Sequence, residues 1–96
     1  MLSIEQISDA AKIIAKEYPV VKIQLFGSYA EGRSTSESDV DILVEFDDAA
    51  VVTLLTLCKI KNRMEEILKV SVDVVTLPIP EGALIEINKV VSLYAA

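Results

Sequence analysis

Ninety-six residues, 52% of them hydrophobic and 25% charged, describe one ordinary globular domain, too small to enclose a deep pocket easily. A formal net charge of −6 with no basic run argues against a surface built to grip the backbone of long DNA or RNA. With no histidine, the commonest general base and metal ligand is missing, so any chemistry falls to carboxylates, hydroxyls, lysine or a bound ion.

The N-terminus has neither a basic region followed by a long apolar run nor any stretch that could span a membrane, so a cytoplasmic location is expected. Ser3-Ile-Glu-Gln6 fits a capping box, and Ile4, Ile7, Ala11 and Ile14 follow at helical spacing. A helix is expected from about Ser3 to Glu17, ending before Pro19. Val20 to Phe26 is β-branched and apolar, stops at Gly27, and reads as a strand. Gly27 to Ser38 holds two glycines and five small hydroxyl residues, a loop composition with room for one helical turn after Ser28.

Asp39 to Phe46 alternates strictly, Val40, Ile42, Val44 and Phe46 on one side and Asp39, Asp41, Leu43 and Glu45 on the other, which makes a strand with one apolar face. Asp47-Asp48 offers a helix start favourable to the backbone dipole, and Val51 to Leu68 carries Leu54, Leu57, Cys58, Met64, Ile67 and Leu68 as an apolar stripe. Cys58, the single cysteine, is expected in the core. Val72 to Leu77 reads as a third strand ended by Pro78 and Pro80, and Leu84, Ile87, Val91 and Tyr94 suggest a last helix. The order predicts one α+β domain over residues 1–96, a small mixed sheet of three or more strands with helices packed mainly on one face.

A strand destined for a core does not need to open on two carboxylates. Asp39 and Asp41 project from the same face with α-carbons roughly 6.5 to 7 Å apart, so both can reach one point. Unpaired, they repel, and a divalent cation relieves that conflict; hard ions such as Mg²⁺ are held by one or two carboxylates with phosphates and water. Asp73, alone among Val72, Val74 and Val75, is a further candidate. Gly27 lets backbone approach a ligand closely, and Ser28 offers a hydroxyl and an amide where phosphate oxygens bind well. Each feature taken singly is commonplace: an Asp-x-Asp on a solvated sheet face, a glycine closing a strand. A phosphate cradle beside a metal pair on adjacent strands outlines a nucleoside triphosphate site.

Gly27-Ser28, ten intervening residues, Asp39-Val-Asp41 and the later strand aspartate Asp73 together resemble the DNA polymerase β-like nucleotidyltransferase superfamily, and within it the minimal nucleotidyltransferases of antitoxin type. The likeness runs from Leu25-Phe26-Gly27-Ser28 through Ser38 to Val44 and on to Val72-Asp73-Val74-Val75-Thr76 and Tyr94. It implies that Asp39, Asp41 and Asp73 hold two Mg²⁺ ions, that Asp73 also helps deprotonate an acceptor hydroxyl, and that Gly27 and Ser28 grip the triphosphate. The implied reaction is transfer of AMP from ATP, with release of pyrophosphate, to a hydroxyl on a partner of the HEPN toxin type. The alternative is an antitoxin that masks its partner by binding alone. The resemblance departs at Glu31, where members of the family often carry arginine; Arg33 lies two residues on.

Overall fold

The computed structural model describes residues 2–35, 38–76 and 90–95. Helix α1 spans Ile4–Glu17, and its start follows the expected chemistry: the Ser3 side chain accepts from the Gln6 amide at 3.1 Å while Gln6 Oε1 accepts from the Ser3 amide at 2.8 Å. Two of the orphan amide groups of a helix end are thereby satisfied reciprocally. Strand β1 (Val20–Phe26) leads directly into a short helix, α2 (Gly27–Glu31), and strand β2 (Val40–Phe46) follows the polar loop.

Helix α3 covers Leu54–Leu68, beginning later than the acidic pair suggested. Asp47 and Asp48 instead belong to a turn in which Asp47 Oδ1 accepts from the Ala49 amide at 2.9 Å and the Asp47 carbonyl accepts from the Ala50 amide at 2.9 Å. The true start is a second capping box, Thr53 with Thr56 at the third helical position. A hydroxyl that caps the helix in both directions outweighs a diffuse charge–dipole preference, because it satisfies particular N–H groups.

Strand β3 (Val72–Thr76) and strand β4 (Val91–Ala95) complete a four-stranded mixed sheet in the order β3-β2-β1-β4. Strand β1 pairs antiparallel with β2 and β4, and β2 pairs parallel with β3 across the α3 crossover. The last element corrects the helix expected from Val91 and Tyr94: both lie on β4, while Leu84 and Ile87 fall outside the described residues. Two apolar residues three apart satisfy a helical period, but β1 has a free edge whose N–H and C=O groups need partners, and a run of Val, Leu and Tyr suits that edge.

The core lies between the sheet and a layer formed by α1 and α3, which touch each other. Ile7 and Ile14 from α1, Ile60 and Met64 from α3, and Ile23, Leu25, Val40, Ile42, Val44 and Val72 from the sheet are all fully buried in one cluster. Each such side chain contributes about 1.5–3 kcal/mol relative to exposure. Arg63 of α3 meets Glu17 of α1 through Nε at 3.2 Å and Nη2 at 3.2 Å, closing the helix layer at its rim. With both long helices on one face, the opposite face of β1, β2 and β3 carries Asp41, Glu45 and Asp73 beside the buried Phe26 and Leu43.

Candidate functional site

The register of two parallel strands assembles the carboxylates. Asp41 stands directly opposite Asp73 in the β2–β3 ladder, as Val40 stands opposite Val72 and Ile42 opposite Val74. Period-two alternation then turns Asp41 and Asp73 to the same face, while their neighbours Val40, Ile42 and Val72 enter the core. Across β2 on the other side, Phe26 is paired with Asp41, so the chain enters α2 immediately beside that carboxylate.

Gly27 explains why the turn after β1 needs glycine. Its φ is +74°, in the left-handed region, and a Cβ built there would run into the Asp41 carboxyl group, reaching Cγ at 3.2 Å. Glycine here combines a backbone conformation costly to other residues with the space that Asp41 occupies. Ser28 follows within α2, and Phe26, the N-cap residue before it, supplies no side-chain hydrogen bond. Gly32, φ +75°, closes α2 in the left-handed conformation, and the Arg33 amide also donates to the Ser28 carbonyl at 2.9 Å.

Burial raises the pKa of Asp41 from 3.8 to about 6, with the neighbouring Asp73 charge next in weight, then a hydrogen bond between the two carboxyl groups and the charge of Asp39. A carboxyl group so placed resists ionisation, so Asp41 has a standing demand for a proton or a cation beside it. Asp39 sits one residue before β2, is exposed, and acts on Asp41 only through space. Among the described residues no group of three or more acidic or thiol side chains is poised to hold an ion together. Asp41 and Asp73 are therefore brought into contact, and Asp39 stands apart from them.

A cleft of about 520 Å³ opens over the pair, with Phe26, Asp41 and Asp73 on its sheet side and Leu54, Leu57, Cys58 and Lys61 along α3. Cys58 is thus exposed on this wall rather than buried as its apolar neighbours suggested. The inward stripe of α3 is Ile60, Met64 and Leu68, and Cys58 falls on its flank. The sequence reading missed Lys61, whose Nζ donates to Glu65 Oε2 at 2.8 Å. The same oxygen accepts from the Val72 amide at 3.0 Å, so the lysine is tied to the strand that bears Asp73. That bond to Glu65 holds the Lys61 pKa above its ordinary value and depresses that of Glu65. An i,i+4 Lys–Glu spacing was the available signal, although the lysine-first order is the weaker one in a helix. Arg33 Nη2 lies 3.2 Å from Glu31 Oε1, so the charge that departs from the family pattern is met within the same turn.

A mixed sheet with helices on one face and paired aspartates beside a glycine turn on the other defines a nucleotidyltransferase-type architecture. The chain belongs to the nucleotidyltransferase domain family, whose model matches residues 7–92. A Methanocaldococcus jannaschii protein provisionally named a protein adenylyltransferase is 43% identical over 65 residues, 68% of this chain and 65% of that relative. Protein adenylyltransferase MntA of Thermococcus cleftensis is 35% identical over 79 residues, 78% of each chain. This chain spans about 65% of the length of the first curated relatives it matches. Among solved structures, a toxin–antitoxin crystal structure with AMP-PNP superposes with a TM-score of 0.76 at 22% identity, covering 93% of this chain and 73% of that one. A tri-AMPylated Shewanella oneidensis HEPN toxin in complex with an MNT antitoxin gives a TM-score of 0.67 at 19% identity, covering 94% and 71%. At these identities the structural likeness establishes the fold.

Proposed function

We propose that this chain transfers AMP from ATP to a hydroxyl on a partner protein of the HEPN toxin type and thereby acts as an antitoxin. The observation that carries the reading is the in-register pair Asp41 and Asp73 next to the positive-φ Gly27. Its support from outside the molecule is the naming of its relatives as protein adenylyltransferases.

In the proposed reaction the acceptor oxygen forms a bond to the α-phosphorus of ATP. The bond from that phosphorus to the oxygen bridging toward the β-phosphorus breaks, and pyrophosphate leaves with the electron pair. Asp73, exposed at the mouth of the cleft, takes the hydroxyl proton. Gly27 and Ser28 receive the polyphosphate at the turn into α2, beside the Asp41 carboxyl that packs against Gly27.

Asp41 and Asp73 form a donor pair suited to Mg²⁺, because the burial and the neighbouring Asp73 charge that raise Asp41 disfavour its anion, and a hard divalent cation relieves that cost. A cation bound there supplies neutralisation of the phosphate charge and a lower pKa for the attacking hydroxyl. The residues orient both reactants and keep the attack in line.

The pairing of Arg33 with Glu31 favours a second reading, in which the chain masks its partner and turns over little ATP. Incubation with α-labelled ATP, Mg²⁺ and a HEPN-type protein that it binds, or the product of an adjacent gene, separates the two. The transferase reading expects label on the partner that disappears in Asp41→Asn; a stable, unlabelled complex supports masking alone, and neither label nor complex sinks both.

A further inference from the structure

Among the described residues, an unexplained feature of the surface is a run of apolar side chains where α3 begins. Val51 is 88% exposed, Leu54 79% and Leu55 64%, with Val52 beside them. Isolated exposed aliphatics are ordinary, but a contiguous group is not. The fold does not need them: the start of α3 is secured by Thr53 and Thr56, and its buried stripe begins at Ile60.

This patch is connected to the carboxylates. Leu54 and Leu57 line the cleft over Asp41 and Asp73, and they also line a neighbouring groove of about 840 Å³. That groove is rimmed by Glu45, Asp47 and Asp48, and among the described residues lining it none is basic. An apolar floor with a one-signed acidic rim sets the chemistry of its occupant, an aliphatic or aromatic anchor flanked by Lys or Arg. Its continuity with the cleft sets the occupant's identity as the molecule whose hydroxyl must enter there.

We propose that the Val51–Leu55 patch and its acidic rim are the docking surface for the acceptor protein, which seats an apolar anchor flanked by basic residues there. This inference rests on the transfer reaction proposed above. The acceptor then crosses Leu54 and Leu57 to place its hydroxyl at Asp73, and specificity for the acceptor is set outside the nucleotide site.

The test is a double substitution, Val51→Ser/Leu55→Ser, at positions that line neither the cleft nor the groove, assayed with ATP and the cognate HEPN-type protein. The expected result is a KM for the acceptor raised about 10-fold or more, with kcat at saturating acceptor, the Kd for ATP and the melting temperature unchanged. Glu45→Lys/Asp48→Lys should weaken acceptor binding and abolish its dependence on salt below 0.15 M, roughly the range in which surface charges act strongly. An unchanged acceptor KM in both variants, in a preparation whose wild type labels the acceptor, overturns the docking surface while leaving the transferase reading intact. If wild type binds ATP yet labels no acceptor, the transferase reading itself falls. If wild type is a dimer that the serine variant converts to a monomer with acceptor KM unaltered, the patch joins two copies of this chain and the proposal is wrong.

Discussion

The two faces of β2 differ more than any two regions of the molecule of equal size. On one face Val40, Ile42 and Val44 are fully buried under the two long helices. On the other, Asp41 is held against Asp73 at an energetic disadvantage, and Glu45 points to solvent. One strand therefore serves opposite ends, and the difference teaches where stability is generated and where it is given up. Residues that fold the chain are interchangeable in kind, provided volume is conserved. On the other face Leu43 is buried as well, whereas the Asp41–Asp73 pair is a liability to the fold.

Replacing a residue on the apolar face should have the largest effect. Ile42→Ala leaves a cavity beneath both helices and is expected to cost about 2–5 kcal/mol. Thermal unfolding should fall by at least roughly 8 °C, taking about 4–8 °C per kcal/mol for a chain of this size. A shift of a degree or two would mean that this face is not the core.

Next in size is Gly27→Ala, which sets a methyl group against the Asp41 carboxyl in a left-handed backbone. A cost of about 1–3 kcal/mol is expected from the strained backbone, together with loss of ATP binding measured by calorimetry. Retention of wild-type ATP affinity would remove Gly27 from the phosphate site, whatever its effect on stability.

The polar face makes the opposite prediction. Without divalent cation, Asp41→Asn should stabilise the protein near neutral pH by about 1 kcal/mol, once solvent screening of a half-exposed carboxylate is allowed for, while abolishing transfer. The sign follows from proton binding: the folded group titrates near 6 against an ordinary 3.8, so the native state takes up a proton within that window. Wild-type stability should then fall as pH rises from about 4 to about 6 and level off above, and Asp41→Asn should lack that slope. A destabilised Asp41→Asn at pH 7 would contradict the repulsion.

The smallest effect belongs to the exposed rim, where Arg63→Ala removes the bonds to Glu17. Such pairs contribute below about 1 kcal/mol, so the midpoint in urea should move little and the difference should shrink in high salt. A loss comparable to that of Ile42→Ala would show that the helix layer depends on its rim rather than on its core.

Helix α1, strands β1 to β3 and the alternation that turns Asp41 out of the core were legible from residue order, because each rests on signals a few residues apart: a capping box, a β-branched run, a strict period of two. Other features were not legible, β4 among them, since its apolar spacing suggests a helix. The start of α3 was misplaced because Asp47-Asp48 resembles a helix start, yet the reciprocal Thr53–Thr56 bonds decide it. The apolar neighbours of Cys58 suggest core, and only the placement of α3 over the sheet determines which flank faces inward. Lys61 could not be connected with Asp73, since their proximity passes through Glu65 and the Val72 amide.

Sequence by itself determined the chemistry available to this protein: paired carboxylates without histidine, a glycine where backbone must come close, and an apolar face to fold against. Tertiary structure decided what those groups meet. Asp41 and Asp73 are 32 positions apart in the chain and become neighbours only through the parallel register of β2 and β3, which the α3 crossover permits. Strand β4 was decided in the same way, by the unpaired edge of β1, whose backbone groups are satisfied by Val91 to Ala95. Local preferences are encoded by near neighbours along the chain, whereas edges, registers and inward flanks are properties of elements already packed together.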